Sequence, residues 1–349
     1  MAEVLFLVLS LLIILASAEV FTNGVEALGR RLSLSQAVVG SILAAVGTAL
    51  PETILPFVAI LMHGGNAAKN IGVGAILGAP FMLSTLAFFL VGVTVTVSFF
   101  RKKRNFELMV EAHSMKRDLL FFIALYGTAI FLPMFFKGHV YIALLLVAGY
   151  LTYAYRTFKG ESADIMHAQE LYFRMFADFS KRLFGSKRSS QDTPGHHGHE
   201  SRLLIILQVA AALCLMVGGS HIFVGNIEKL SFSWGMNPLL FALLVAPIAT
   251  ELPEKFNSVT WTLKGRDTLA MGNITGAMVF QATFPVSVGL LFTDWTISGL
   301  GLLSAILALA SALVLLAEIH FRGKVSPFTV LLGGGFYLVY AAVIVLTRS

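Results

Sequence analysis

Long uncharged apolar runs occupy both halves of this sequence, and nothing else narrows its fold as far. Ten of them, at residues 3–22, 36–62, 71–98, 118–136, 138–156, 203–225, 237–263, 268–292, 297–319 and 325–347, are bounded by charge or by Gly and Pro. A hydrocarbon core about 30 Å thick is crossed by about 20 apolar residues in a helix. In lipid, only helices and closed barrels satisfy their own backbone hydrogen bonds. Runs of this length therefore predict helices. Hydrophobic residues make up 57% of the 349 and charged residues 13%, against roughly 45–50% and 25% in soluble domains, which excludes a water-soluble globular fold. The single cysteine, Cys214, excludes an intrachain disulfide or a CxxC pair. No Lys or Arg precedes Arg30, so the first run lacks the basic flank of a cleaved signal peptide and is expected to stay in the mature chain.

Ten spans alternate the loops between two faces, and Lys and Arg mark the cytoplasmic one. One face collects 20 of them, from Arg30 and Arg31, the 101–117 loop, the 156–202 segment, the 264–266 turn and the 322–324 turn. The other face holds Lys69, Lys137, Lys229 and Arg348, and Lys255 falls inside the seventh span. Both termini are thus expected outside, in a plasma or inner membrane. The net charge of +6 reads as orientation, with membrane lipid as the partner and no nucleic acid. Residues 157–201 form the one long hydrophilic stretch and divide the chain into halves at 1–156 and 202–349. Within this expected cytoplasmic linker, Ile165, Ala168, Tyr172, Phe176, Phe179 and Leu183 recur at helical spacing, as in an amphipathic helix on a membrane surface or an ordinary packing helix. His196, His197 and His199 cluster in its polar tail, either as a metal or pH sensor or as part of a disordered linker.

The halves repeat one another. Residues 19–28 align with 221–230, and the Thr-Ala-Leu-Pro-Glu run ending at Glu52 aligns with the Thr-Glu-Leu-Pro-Glu run ending at Glu254, both at an offset of 202. Gly74, Gly78 and Ala79 align with Gly272, Gly276 and Ala277 at an offset of 198. Five spans separate the copies, and an odd number inverts the second relative to the first. The expected fold is an all-α polytopic membrane protein with ten transmembrane helices in two inverted five-helix repeats, the plan of secondary transporters with a midplane site. The two site-bearing segments are 36–98 and 237–292.

Glu52 and Glu254 fall mid-span, where a carboxylate is expensive and marks a pathway or a site, unless the two form a structural buried pair. Each follows a proline, which removes the hydrogen bond to the carbonyl four residues back, at Gly47 and Ala249. Freed carbonyls, the hydroxyls of Thr48 and Thr250, and the two carboxylates make an all-oxygen set that suits a hard cation such as Ca²⁺. The two-fold relation between the repeats would bring Glu52 and Glu254 together at the centre. Gly74, Gly78, Gly272 and Gly276 form small-xxx-small patterns, expected to let the third and eighth spans crowd the broken second and seventh.

On these residues the chain resembles the calcium/cation antiporter superfamily, whose best-known members are sodium/calcium exchangers. Residues 47–52 resemble that family's G-T-S-x-P-E element, and 72–83 and 270–281 its G-N-x-x-G-S-N-x-x-N element. The resemblance implies Ca²⁺ at Glu52 and Glu254, Na⁺ or H⁺ as counter-ion, and no resident cofactor. Within the polar set that the family uses, Thr48, Thr250, Asn273 and Gln281 remain as further ligands, and a glutamine at position 281 is similar to the proton-coupled branch. Ala49, Glu251, Ala79, Ala277 and Leu83 depart from the family's serines and its Asn or Asp ligand.

Three questions stay open at this level. Glu251 stands three residues before Glu254 and four before Lys255, so it is either a salt-bridge partner of Lys255 or a proton carrier. Glu19 and His221 occupy equivalent positions in helices that, in this family, slide during alternating access; they are either a pH-sensitive gating pair or separate snorkelling groups. The chain itself is read as a Ca²⁺ antiporter, with an exchanger of another cation or a non-transporting sensor or scaffold as alternatives. No HExxH, GxSxG or paired-aspartate motif is present, so enzymatic activity is not expected.

Overall fold

The computed structural model describes residues 2–31, 49–160, 172, 202–297 and 299–348. Thr48, Gly47, the first half of the second span, the linker helix apart from Tyr172, and the His196, His197 and His199 cluster lie outside these residues. The described residues are helical, with no strand among them. In chain order the helices are α1 (Ala2–Arg31), α2 (Leu50–Phe57), α3 (Gly65–Met82), α4 (Phe88–Phe100), α5 (Ala112–Phe135), α6 (His139–Gly160) and α7 (Arg202–Ser233). After these come α8 (Pro238–Thr250), α9 (Leu252–Leu263), α10 (Asp267–Gln281), α11 (Phe284–Phe292), α12 (Gly299–Arg322) and α13 (Pro327–Arg348).

Among the described residues, 8 helices are long and apolar enough to cross a membrane, counting Gly65–Phe100 and Asp267–Phe292 as one each. The expected spans that fall short of this standard are the second and the seventh, the two that carry a Leu-Pro-Glu element. Of the second, Leu50–His63 is described. The seventh is divided at Glu251, a non-helical residue at φ −92° and ψ 12° between α8 and α9. The cause is local. Pro51 and Pro253 sit at the start of α2 and α9, the one part of a helix where the missing N–H costs nothing.

A single-turn π-helix at Leu83–Ala87 joins α3 to α4 without interrupting the rod, whereas α10 and α11 are separated at Ala282 and Thr283. Pro80 lies three residues before the π-turn; Pro285 begins α11. The equivalent segments of the repeat thus accommodate their prolines differently.

Two apolar clusters hold the bundle together. One gathers Ile14 and Phe21 of α1, Leu55 of α2, Ile71 of α3, Phe223 of α7 and Phe241 of α8. The larger one joins α3 to α6 and α10 to α13, through residues such as Phe88, Tyr126, Ile274, Leu315 and Tyr340. The α1 and α7 helices pair along their length, with Gln208 donating to Asn23 Oδ1 and to the Val20 carbonyl, each at 2.9 Å.

Packing of α3 against α8 is closest at Gly74 and Gly78. A Cβ on either would stand 2.2 Å from the carbonyl oxygen of Leu239 or Leu243 respectively. Only glycine permits that approach of two backbones. Among the described residues, a Cβ at Gly272 would meet nothing within 4 Å and one at Gly276 would meet the Tyr153 hydroxyl at 3.5 Å; residues 36–48, which the offset of 202 makes equivalent to the start of α8, lie outside them. The crowding pattern is therefore present in the third span.

Polar contacts tie the two halves together at one end of the bundle. In the 101–111 loop, Arg104 grips Asp267 in a bidentate pair at 2.5 and 2.9 Å, and its guanidinium also donates to the carbonyl of Thr262 at 3.0 Å. The Asp267 hydrogen bonds hold Arg104 above the ordinary arginine range. Asp267 opens α10, where a carboxylate complements the helix dipole. Nearby, Lys116 reaches His320 at 3.4 Å.

Candidate cation site

The Leu-Pro-Glu elements place their carboxyls in the protein interior. Glu52 and Glu254 are 5% and 4% exposed and are electrostatic neighbours of one another. Glu251 is fully buried and is an electrostatic neighbour of both. Charge of one sign at such density is not stable in a low-dielectric interior. Two unit charges 4 Å apart interact by about 4 kcal/mol at an effective dielectric constant of 20, so a compensating cation or proton is required.

Part of that compensation is built in. Lys255 is buried one turn into α9, with Nζ 3.3 Å from Glu251 Oε2. The alignment is not that of a hydrogen bond, and the ammonium instead donates to the Pro247 carbonyl of α8 at 3.0 Å. Lys255 thus bridges the break in the seventh span. Its positive charge offsets one of three carboxylates, and the ionised cluster keeps a formal excess of two negative charges.

Oxygen atoms around this cluster are poorly satisfied by the protein. Both carboxyl oxygens of Glu52, Oε2 of Glu254, both of Glu251 and Oε1 of Gln281 are buried and accept no hydrogen bond from the described residues. Native proteins leave few such atoms, and each calls for a physical reason. A small cavity, with about 10 Å³ of water-sized space, opens beside Glu52 and is lined by Ala75 and Ala79 of α3, and Ala246, Pro247 and Thr250 of α8, among others. Thr250 donates to the Ala246 carbonyl at 3.2 Å, which leaves its oxygen able to accept or to coordinate.

Asn273 and Gln281 lie along α10. The Asn273 amide donates to the Glu254 carbonyl and to Ser258 Oγ, both at 3.2 Å, and Gln281 lies beside Glu251. Among the described residues no three His, Cys, Asp or Glu side chains are placed to hold one metal ion. The oxygen set is consequently the buried carboxyls of Glu52 and Glu254 with hydroxyl, amide and carbonyl groups of α8 to α10.

Glu19 and His221 are not brought together. Glu19 accepts a hydrogen bond from the Tyr172 hydroxyl at 3.0 Å. His221 meets His63, with their Nδ1 atoms 3.2 Å apart. Sequence reasoning also missed Ser258, which joins α9 to α10 by donating to the Ala270 carbonyl at 3.1 Å. Its signal was available, since Ser258 follows Glu254 by one helical turn.

With this geometry in view, comparison with known proteins is informative. The sodium/calcium exchanger protein family matches residues 2–159 and 204–346, nearly the whole chain. The candidate antiporter CaxA of Alkalimonas amylolytica is 22% identical over 293 residues, 82% of this chain and 79% of that protein. Among solved structures, the H⁺/Ca²⁺ exchanger CAX superposes with a TM-score of 0.68 at 17% identity, covering 98% of this chain and 82% of that one. The sodium-calcium exchanger NCX_Mj gives 0.57 at 16% identity, with 98% of both chains covered. At such identities the structures show a shared fold, and the family match extends across both halves. The chain is an integral, multi-pass membrane protein and belongs to the sodium/calcium exchanger protein family.

Proposed function

We propose that this protein is a secondary active antiporter that exchanges Ca²⁺ for Na⁺ or H⁺ by alternating access, through ten spans arranged as two inverted five-helix repeats. One observation carries the reading. Three buried carboxyls and one buried ammonium meet where the seventh span breaks, and their formal excess of two negative charges matches one divalent cation. Two protons or two monovalent cations satisfy the same count, which is the requirement for exchange at a shared site. Glu52 and Glu254 are assigned as the central ligands, with Thr48, Thr250, Asn273 and Gln281 supplying further oxygens.

The poverty of the first copy favours H⁺ as the counter-ion. Ala79 and Leu83 offer no side-chain oxygen where α3 passes the site, and Ala277 offers none on α10. Na⁺ is a hard cation that needs several oxygen ligands, whereas a proton needs one carboxylate. Glu251 is assigned to charge compensation with Lys255; a proton-carrying role would show as an altered pH dependence of transport in Glu251→Gln. Both termini outside, a cytoplasmic 157–201 linker, and a plasma or inner membrane complete the proposal, supported by the 20 to 4 distribution of basic residues.

The test is Ca²⁺ uptake into proteoliposomes containing the purified protein, under an outward Na⁺ gradient, an outward H⁺ gradient and no gradient. Uptake driven by H⁺ and lost in Glu52→Gln/Glu254→Gln supports the reading. A folded protein that moves no Ca²⁺ under any gradient contradicts it, and leaves another cation or a non-transporting role.

A further inference from the structure

Away from the carboxyl cluster, the chain brings together two histidines that are far apart in sequence. After α2, a π-helical turn at Val58–His63 ends with His63, and the Gly64 to Gly65 turn then leads into α3. The His63 ring docks on one face of α7 against His221, Gly225 and Glu228. Its centroid lies 4.5 Å from that of His221, and the two Nδ1 atoms face each other at 3.2 Å. On the other edge of the ring, Nε2 is 3.6 Å from Glu228 Oε2. Gly225 makes the bay, since a Cβ there would stand 3.3 Å from His63 Cε1. The cluster is partly open, with His63 and Glu228 side chains 18% and 31% exposed.

We infer that His63 and His221 form a binding site for one divalent transition metal ion of the Zn²⁺ class. In a tetrahedral Zn²⁺ site with Zn–N bonds of about 2.0–2.1 Å, two ligating nitrogens are about 3.3 Å apart. The observed Nδ1 separation is already within a tenth or two of an ångström of that value. Glu228 beside the far nitrogen of His63 supplies the other half of the pattern. A ligating histidine commonly donates its second N–H to a carboxylate, which fixes its tautomer and turns the lone pair of the first nitrogen towards the metal. With His63 so oriented, only His221 has to adjust, carrying its proton on Nε2 instead of Nδ1.

Imidazole ligands select Zn²⁺, Cu²⁺ and Ni²⁺ over Ca²⁺ and Mg²⁺, which prefer oxygen, so this site is chemically distinct from the carboxyl cluster. Its protein ligands number two, and solvent completes the coordination. The ion ties α7 to the segment that carries Glu52 at its other end. The inference stands on these three side chains and does not depend on the transport reaction.

The experiment is Zn²⁺ titration of the purified full-length protein by isothermal calorimetry, with His167, His196, His197 and His199 replaced by alanine so that the linker contributes no imidazole. One Zn²⁺ per chain is expected in that background, undisturbed by millimolar Ca²⁺ or Mg²⁺. His63→Ala or His221→Ala should weaken it at least tenfold, and Glu228→Gln, which removes the orienting carboxylate, by about tenfold. His221→Gln keeps a hydrogen-bonding side chain and should lose the metal while eluting as a folded protein. No stoichiometric Zn²⁺ in the background protein, or unchanged affinity in the folded His221→Gln variant, overturns the inference.

Discussion

The two copies of the repeat have taken different physical roles. The first copy, α2 and α3, contributes one carboxyl, Glu52, from otherwise apolar surroundings that include Leu55, Pro56, Ala75 and Ala79. Its α3 helix buries itself by backbone contact, with Gly74 and Gly78 set against the carbonyls of Leu239 and Leu243. The second copy, α8 to α10, carries Thr250, Glu251, Glu254, Lys255, Ser258, Asn273 and Gln281. One copy seals and positions, and the other supplies most of the polar chemistry. The lesson is that two sequence repeats can share a Leu-Pro-Glu element without sharing the polar residues around it.

The sharpest challenge to this division is to neutralise one carboxylate from each copy. Glu52→Gln and Glu254→Gln should each reduce gradient-driven Ca²⁺ uptake in proteoliposomes by about 100-fold or more, because a divalent ion then faces a single unpaired carboxylate. Near-normal uptake in Glu52→Gln would reduce the first copy to a scaffold.

Next in size is the glycine contrast. Gly78→Ala places a methyl group 2.2 Å from a backbone oxygen, an overlap that only a shift of α3 against α8 relieves, at a cost of about 1–3 kcal/mol as in overpacked cores. Thermal unfolding in detergent should show a clear drop in Tm. Gly272→Ala meets no neighbour among the described residues, and exchanging a helical glycine for alanine gains about 0.5–1 kcal/mol, so on those contacts its Tm should hold or rise. Equal losses in the two variants would erase the packing asymmetry.

The built-in ammonium can be probed in the same spirit. Removing the positive charge in Lys255→Gln leaves three carboxylates, and Ca²⁺ binding measured by calorimetry should tighten by about tenfold, or 1.4 kcal/mol. Unchanged affinity would place Lys255 outside the field of the site. The smallest effect on Ca²⁺ affinity is expected furthest from the carboxyls. Arg104→Ala breaks a pair whose aspartate is 1% exposed at its side chain, so stability should fall by about 3 kcal/mol, while Ca²⁺ affinity stays within about twofold.

Much of this was legible in the residue order, for identifiable reasons. Apolar runs announced the long helices because lipid permits little else, and among the described residues eight helices are long and apolar enough to span. The offset of 202 singled out Glu52 and Glu254 because a carboxylate in an apolar run has few structural excuses. Lys255 beside Glu251 followed from helical spacing, and they do lie 3.3 Å apart. What spacing did not reveal is which groups meet across the bundle. Glu19 and His221 are equivalent in the repeat, yet equivalence under a pseudo-two-fold axis does not make two residues neighbours. His221 instead meets His63, 158 positions away. A glycine pattern shows that close approach is permitted, and only the neighbouring helix decides whether it occurs.

The central claim is that Glu52 and Glu254, one from each copy, hold one divalent cation between them while Lys255 offsets Glu251. Calorimetric titration of the purified protein with Ca²⁺ tests it most directly, with Glu52→Gln and Glu254→Gln in parallel. The account predicts one Ca²⁺ per chain, with affinity lost in either variant alone. Stoichiometric binding retained at full affinity in either folded variant would contradict it.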